Sequence, residues 1–504
     1  MKNNRVLLIK PPQIIYSHDT PAVVPPLGLA YLAAVFERGH IPVKIYDALV
    51  EDQTFKQVSP GSLEMHFGST WDVIEKEIRS YAPGIVGITS SFSSQSDNAL
   101  RTAEIVKKID PGIFTVLGGA HPSSLPEDVL GNNAVDFVVI GEGEETTAEL
   151  IKAISNGERE FSGIRGLGWK KHGKSVINEK RPLISDIDSI PLPARHLLPM
   201  DKYFNSKAWH SKVIKHKRFT SIITSRGCPN RCNYCSIYNI WGRKWRARDP
   251  YRVVDEIEML VGEYGVREIH FEDDNLTLDR ERSEVIFDEI IKRKLNIYWS
   301  TPNGVHIKGF SKDLFMKMRR SGCYRLHFGI EHGDAEFRKT VIRKPITQDN
   351  EKIKRLVKDA KDAGILVNIF LIIGFPQEKI EHIQKTIEMA KYFDPDTVSF
   401  FIATPHPSTD LYQYCVEHKC LPDGFTWTLL RNTNPVIETP VFTQQSIKEW
   451  RDKAYREFTV HKLKQVLLLK EQIRYLRVVR SWDDIKMLWN FFFTAIKEHF
   501  FFLS

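Results

Sequence analysis

Short, nearly unbroken apolar runs recur through the first 155 residues, at positions 6–9, 43–46, 85–89, 115–117 and 137–140. Apolar runs of that length, without polar alternation, are expected of strands buried on both faces of a parallel sheet. Between them apolar residues recur at helical spacing over 27–38, 99–109 and 144–154. The alternation predicts a doubly wound α/β domain over 1–155. Ligands in such sheets sit beyond the carboxyl ends of the strands. Those ends carry "PPQIIYSHDTPAVVPPLG", "SSFSSQSDN", "GGAHPSSLPED" and "GEGEET".

From 156 to 215 the period lapses, and the proline-rich "SDIDSIPLPARHLLP" predicts an extended linker. A second series of strands is then predicted at 219–224, 268–272, 297–300, 324–330, 366–373 and 398–402, with helices between them. Six β/α units fall short of a full eight-fold barrel, so residues 216–421 are expected to form a partial (β/α)6 barrel. Its chemistry belongs at the C-terminal ends of the strands. Residues 422–504 are expected to be mainly helical.

Composition changes this picture little. The chain has 504 residues, 42% apolar and 27% charged, as expected of a folded protein of several domains. The net charge of +8 is a mild bias for this length and demands no anionic partner. No basic–aromatic module suggests nucleic acid. No apolar stretch is long enough to span a bilayer, so a cytoplasmic protein is expected. One segment qualifies that: Lys462–Leu503 interleaves basic with bulky apolar residues. It fits either a helical cap on the barrel mouth or a helix lying peripherally on the inner face of a membrane.

Cysteine is sparse, six in all, and three fall in "SRGCPNRCNYCSIYNIWGRKWR" (Ser225–Arg246). Cys228, Cys232 and Cys235 have the spacing C-x3-C-x2-C. Thiolates are the ligands that iron–sulfur clusters and zinc select. A closed zinc site needs a fourth Cys or His, and none lies between Cys235 and His270. Three thiolates on a four-iron cubane would leave one iron open. Trp241 and Arg243 are candidate walls of that position.

This loop resembles that of the radical S-adenosylmethionine (SAM) enzymes. The resemblance implies a [4Fe-4S] cluster on Cys228, Cys232 and Cys235, SAM chelated at the open iron, and reductive cleavage to a 5′-deoxyadenosyl radical. It places Tyr234 against the adenine. Further segments match one per barrel strand: "FEDDN" with Asp273 and Asp274, "STPNG" with Asn303, "FGIEHG" with Glu331 toward the ribose, and "IIGFPQE" with Gly374 near the adenine.

The first domain lacks G-x-G-x-x-G and resembles the cobalamin-binding domain fused to one class of radical SAM enzymes. The resemblance implies a flavodoxin-like strand order. Corrin contacts are implied at Pro26, Leu27, Gly28, Ser90, Ser91, Gly118, Gly119, His121, Gly141, Glu142 and Gly143. D-x-H-x-x-G, whose histidine ligates cobalt, is absent. His121 is therefore either a polar contact to the corrin or a loop histidine.

Together these imply a cobalamin-dependent radical SAM methyltransferase that works anaerobically. It is expected to be a monomer supplied with electrons by a flavodoxin or ferredoxin. It would move methyl from methylcobalamin to an unactivated carbon of a small or lipid-like substrate. An oxidative cyclase of the magnesium-protoporphyrin ester type uses the same parts. A cobalamin-binding sensor or carrier with a structural cluster is the alternative outside enzymes.

Overall fold

The computed structural model describes every residue except 1–3, 17–20, 60, 63, 207–212, 432, 480–481 and 490–504. The chain divides into two compact units. One comprises Met1–His210 with Ser236–Arg246, the other Ser211–Cys235 with Ala247–Ser504.

The first unit is built on a sheet of β1 (Val6–Lys10), β3 (Val43–Asp47), β6 (Ile85–Thr89), β7 (Phe114–Gly118) and β8 (Phe137–Val139), in spatial order β3-β1-β6-β7-β8. All four pairings are parallel. Numbered along the chain, the five strands run 2-1-3-4-5, the flavodoxin-like order. The core gathers Leu7, Ile9, Val86, Ile88, Leu117 and Val138 with Ile74, Ala103 and Val106 of the flanking helices. A side sheet of β2 (Gln13–Tyr16), β4 (Phe55–Gln57) and β5 (Glu64–Phe67) is antiparallel, and no apolar alternation announced it.

The stretch 156–215, expected as linker, contains two further strands. β9 (Leu167–Lys171) pairs antiparallel with β8 and with β10 (Lys174–Ile177), extending the sheet at its edge. The hairpin turns on His172 and Gly173, both at positive φ (50° and 78°). Two successive positive-φ residues are what a tight two-residue hairpin requires. An edge hairpin is half solvated, so "LGWKKHGKSVI" lacks the apolar run of a buried strand.

The second unit is an open barrel of six parallel strands in sequential order: β11 (Phe219–Ile222), β12 (Glu268–Phe271), β13 (Tyr298–Ser300), β14 (Cys323–Glu331), β15 (Leu366–Ile373) and β16 (Thr397–Ile402). An open barrel leaves an edge with unpaired backbone groups. At β16 the helix Gln444–Val466 covers it. Phe400 N–H donates to the Tyr455 hydroxyl at 3.0 Å, and Arg451 Nε donates to Phe400 O at 3.0 Å.

Beyond that helix, Tyr475, Val478, Met487 and Leu488 pack on Tyr298, Tyr324 and Leu366. Those three lie at the starts of β13, β14 and β15, Tyr324 being the second residue of its strand. The C-terminal segment therefore caps the N-terminal ends of the strands, opposite the barrel mouth where a cap was expected. The rest of the segment, 480–481 and 490–504, lies outside the described residues. Among the described residues, no helix is long and apolar enough to cross a membrane.

Candidate active site

The cysteine loop follows β11, at the C-terminal end of the barrel. Cys228, Cys232 and Cys235 are half-buried and form no disulfide. Cys235 N–H donates to Cys232 O at 3.2 Å. Asn233 anchors the loop from both sides: its N–H donates to Ile342 O at 3.1 Å and its carbonyl accepts from Leu411 N–H at 3.0 Å. Burial pushes the Cys232 thiol up, and the Lys344 charge acts against it. Among the described residues, no three His, Cys, Asp or Glu side chains converge tightly enough for a single metal ion. A cubane places each thiolate on a different iron, so it asks for a wider spread. An all-sulfur donor set with a cation beside it fits such a cluster.

Past β12 and Glu272 come two further acids. Buried Asp273 accepts from Thr224 N–H at 3.2 Å, from the Thr224 hydroxyl at 2.8 Å and from the Ser225 hydroxyl. It thereby clamps the residues that lead into the cysteine loop. Asp274 accepts from Gly227 N–H at 3.2 Å, one residue before Cys228. Burial, then the neighbouring Asp273, pushes the Asp274 carboxyl up to about 7. Asn303 is exposed, and its side chain donates to Glu272 O at 2.9 Å.

Glu331 ends β14 at a register shift against β15, with φ +70°. A positive φ is rare for a non-glycine residue and is found where neighbours enforce it. Its carboxylate is 2.7 Å from Lys344 Nζ. It also accepts from the Tyr234 hydroxyl, a phenol that burial and then Glu331 hold well above its usual range. Tyr234 is therefore a neutral donor, and its ring lies 6.4 Å from that of Phe375.

Gly374 sits at φ +87° after β15. Its N–H and that of Phe375 both donate to the Glu378 carboxylate, at 2.7 Å for Phe375. Glu378 also accepts from His332 Nε2 at 2.8 Å, while His332 Nδ1 accepts from Asp334 N–H at 3.0 Å. The pair of bonds assigns the tautomer and fixes the turn. Neither Lys344 nor the His332–Glu378 pair was among the expected residues. Both act through side chains that converge from separate strands, and spacing along the chain carries no trace of that.

A corrin at the sheet-end loops of the first unit needs room and polar atoms. Gly28, at the start of the helix Leu27–Arg38, faces open space, with nothing within 4 Å of the place a Cβ would occupy. Pro26 is half-buried and Leu27 buried beside it. At Gly119, φ +115°, a Cβ would meet Ser90 O at 2.7 Å, so only glycine lets the loops after β6 and β7 approach. Gly118 precedes it at the end of β7. The Ser90 hydroxyl is buried and finds no hydrogen-bond partner in the protein. An orphaned buried hydroxyl is costly unless a ligand satisfies it. Ser91 is exposed, and its hydroxyl is 3.2 Å from that of Thr89. These features fit a large polar-edged cofactor.

His121 is buried. Its Nδ1 lies 3.0 Å from the Ser93 hydroxyl, and burial brings its pKa down to about 4. It is a neutral residue that ties the loop after β7 to the one after β6. Glu142 is likewise engaged: it accepts from Ile184 N–H at 2.8 Å and forms a buried pair with Arg246 at 2.8 Å. Gly141 N–H donates to the Ser123 hydroxyl at 3.0 Å. A Cβ on Gly143 would be 3.3 Å from Leu32, so there small size serves packing.

The segment Ser236–Arg246, which starts directly after Cys235, belongs to this first unit. Asn239 donates to the Ser124 hydroxyl at 3.0 Å. Trp241 O accepts from Arg246 at 2.9 Å, and the Arg243 guanidinium stacks 4.3 Å over the Tyr238 ring.

Sequence comparison places this geometry in a family. Residues 15–151 match the B12 binding domain and residues 222–390 the Radical SAM superfamily. An uncharacterized methyltransferase of Pyrococcus horikoshii is 36% identical over 460 residues, covering 91% of this chain and 93% of its own. The cytidylyl-2-hydroxyethylphosphonate methyltransferase of Streptomyces wedmorensis is 31% identical, covering 91% and 90%. The anaerobic magnesium-protoporphyrin IX monomethyl ester cyclase of Rubrivivax gelatinosus is 30% identical, covering 91% and 78%. The solved structure of the cobalamin-dependent S-adenosylmethionine radical enzyme OxsB with aqua-cobalamin bound shares the fold. Its TM-score is 0.71 over 99% of this chain and 72% of its own, at 15% identity.

The chain belongs to the cobalamin-dependent radical SAM enzymes, within their methyltransferase-like class. Its cofactors are accordingly a [4Fe-4S] cluster, SAM and cobalamin.

Proposed function

We propose that this enzyme transfers a methyl group to an unactivated carbon of a hydrophobic substrate. The observation that carries this reading is the joining, in one chain, of an open three-thiol loop to cobalamin-type sheet-end loops. That combination matches methyltransferases over nine-tenths of both chains. When bound, the cluster and SAM supply a carbon-centred radical oxidant, and cobalamin supplies the methyl donor.

The protein's part is to bind, orient and shield. In this reading Cys228, Cys232 and Cys235 hold the cluster. Asp273 and Asp274 keep the loop's entry in place. Glu331, Tyr234, Asn303 and the Gly374–Phe375 turn hold SAM. Pro26, Leu27, Gly28, Ser90, Ser91, Gly118, Gly119 and Gly141 border the corrin. His121, Glu142 and Gly143 act one layer behind, by fixing the loops. Electrons come from a flavodoxin or ferredoxin.

The hydrophobic nature of the substrate is supported by residues 482–489, where Trp482 (77% exposed), Ile485 and Trp489 (72%) share one helical face beside Lys486. Tryptophan beside lysine suits a peripheral hold on a membrane surface.

The test is anaerobic turnover of extract from a deletion strain with methyl-labelled SAM and a reduced flavodoxin. A lipid-soluble product that carries the label supports the reading. An unlabelled product with a new ring would replace it with the cyclase reading. Product formation that needs no cobalamin would overturn both.

A further inference from the structure

Lys344 lies in no motif that the family resemblance picks out, yet it pairs with Glu331 and interacts with the charges of Cys232 and Cys235. It follows a π-helical turn (Arg338–Ile342) and Arg343 at φ +59°, and its N–H donates to Arg338 O at 3.0 Å. The same turn presents Ile342 O to Asn233 N–H, between the second and third cysteines. The lysine's backbone is thus tied to the cysteine loop through two hydrogen bonds. Its side chain is 14% exposed and pairs with Glu331 at 2.7 Å. Burial opposes its charge, but Glu331, Cys232 and Cys235 around it hold the ammonium well above the ordinary lysine range. Gly329 makes the space: a Cβ there would come 2.8 Å from Lys344 Nζ and 2.5 Å from Glu331 Oε1.

A buried salt bridge is weak evidence for stability, since desolvation of both ions offsets their attraction. This one lies within electrostatic reach of two thiols that are expected to carry the cluster, and there a fixed cation has a different use. Adding an electron to a thiolate-ligated cluster increases negative charge in a medium of low dielectric. Charge and hydrogen bonding around the sulfurs set the potential of such clusters.

We propose that Lys344 is a positioning residue that sets the reduction potential of the cluster, with Glu331 as its opposing partner. The step is a one-electron reduction of the cluster by an external one-electron donor protein. No bond in the protein is made or broken and no proton moves, because Lys344 stays protonated throughout. The inference rests on the reading of Cys228, Cys232 and Cys235 as cluster ligands.

The test is an anaerobic redox titration of the reconstituted full chain, followed by electron paramagnetic resonance, without SAM or substrate. Lys344→Met is expected to lower the midpoint potential by at least a tenfold change in the reduction equilibrium, about 59 mV for one electron. Lys344→Arg should restore it. Glu331→Gln should move it the other way, to less negative potential. A merely structural role would shift neither, or both in the same direction.

An unchanged potential in cluster-loaded Lys344→Met overturns the proposal, as does a negative shift in Glu331→Gln. If Lys344→Met takes up no iron, the sign of the Glu331→Gln shift decides. A chain that shows these shifts but transfers no methyl leaves this inference standing and removes the methyltransfer reading. A wild-type chain that binds no four-iron cluster removes both.

Discussion

The two ends of the barrel hold similar residues and use them oppositely. At the N-terminal end, among the described residues, buried charges are met by groups from other elements. Glu268 accepts from Lys215 N–H at 2.8 Å, His216 N–H at 2.6 Å, His270 Nε2 at 2.8 Å and the Tyr324 hydroxyl. Asp396 pairs with Arg474 and accepts from Tyr475 at 3.0 Å. Lys215 pairs with Asp484 at 2.6 Å, and Lys462 and Lys361 share Asp394 at 2.8 and 2.7 Å. At the C-terminal end the acids Asp273 and Asp274 sit side by side, and the second is driven up to about 7. Glu331 is held at a positive φ. The lesson is that the closed end sets charges against opposite charges from other elements, while the open end sets one carboxyl beside another.

The comparison should break cleanly under mutation. Cys235→Ala is expected to abolish iron uptake, the cluster's visible absorbance and SAM cleavage, with a melting temperature close to that of the unloaded wild type. At the other end, Arg474→Met leaves Asp396 buried without its guanidinium. Breaking one partner of a buried pair costs about 3–5 kcal/mol, so the melting temperature should fall sharply while SAM cleavage per bound cluster holds.

Asp396 also gives the closed end a pH signature. Burial opposes its ionisation, but Arg474, Lys361 and Lys462 bring its pKa down to about 2. A carboxyl depressed in the folded state contributes stability that is present above its unfolded value of about 3.9. That stability is lost as pH falls toward about 2. Thermal melts from pH 5 to 2 should show this loss in the wild type and much less of it in Asp396→Asn. Gly329→Ala should displace the Glu331–Lys344 pair and cut SAM cleavage about 10- to 100-fold, the usual cost of disturbing a residue that supports a metal site. The smallest effect is expected from Asn303→Ala. It removes one exposed hydrogen bond, worth about 1 kcal/mol, and should show as a modest rise in the KM for SAM.

Much of this was legible in the sequence, for a physical reason. A parallel strand buried on both faces tends to be apolar, so short runs announced five strands of one sheet; the six of the barrel, several with buried polar residues such as Glu268, His270 and Arg325, showed through their alternation with helices. The cysteines were legible because a cluster's ligands on one loop fix their spacing. What escaped notice lies where those constraints relax. β9 and β10 are an edge hairpin with one wet face. Lys344 reaches the site through a turn, so its distance from Glu331 in the chain says nothing about the 2.7 Å between them. Glu142 could be seen at a sheet end, but its commitment to Arg246, over a hundred residues on, could not.

The central claim is that the loop Cys228–Cys235 carries a cluster that cleaves SAM. The most direct measurement is 5′-deoxyadenosine formation by the anaerobically reconstituted, reduced chain, with Cys235→Ala run beside it. The account predicts 5′-deoxyadenosine from the wild type and none from the variant. An intact cluster with no 5′-deoxyadenosine would contradict it and leave a cobalamin-binding protein with a structural cluster.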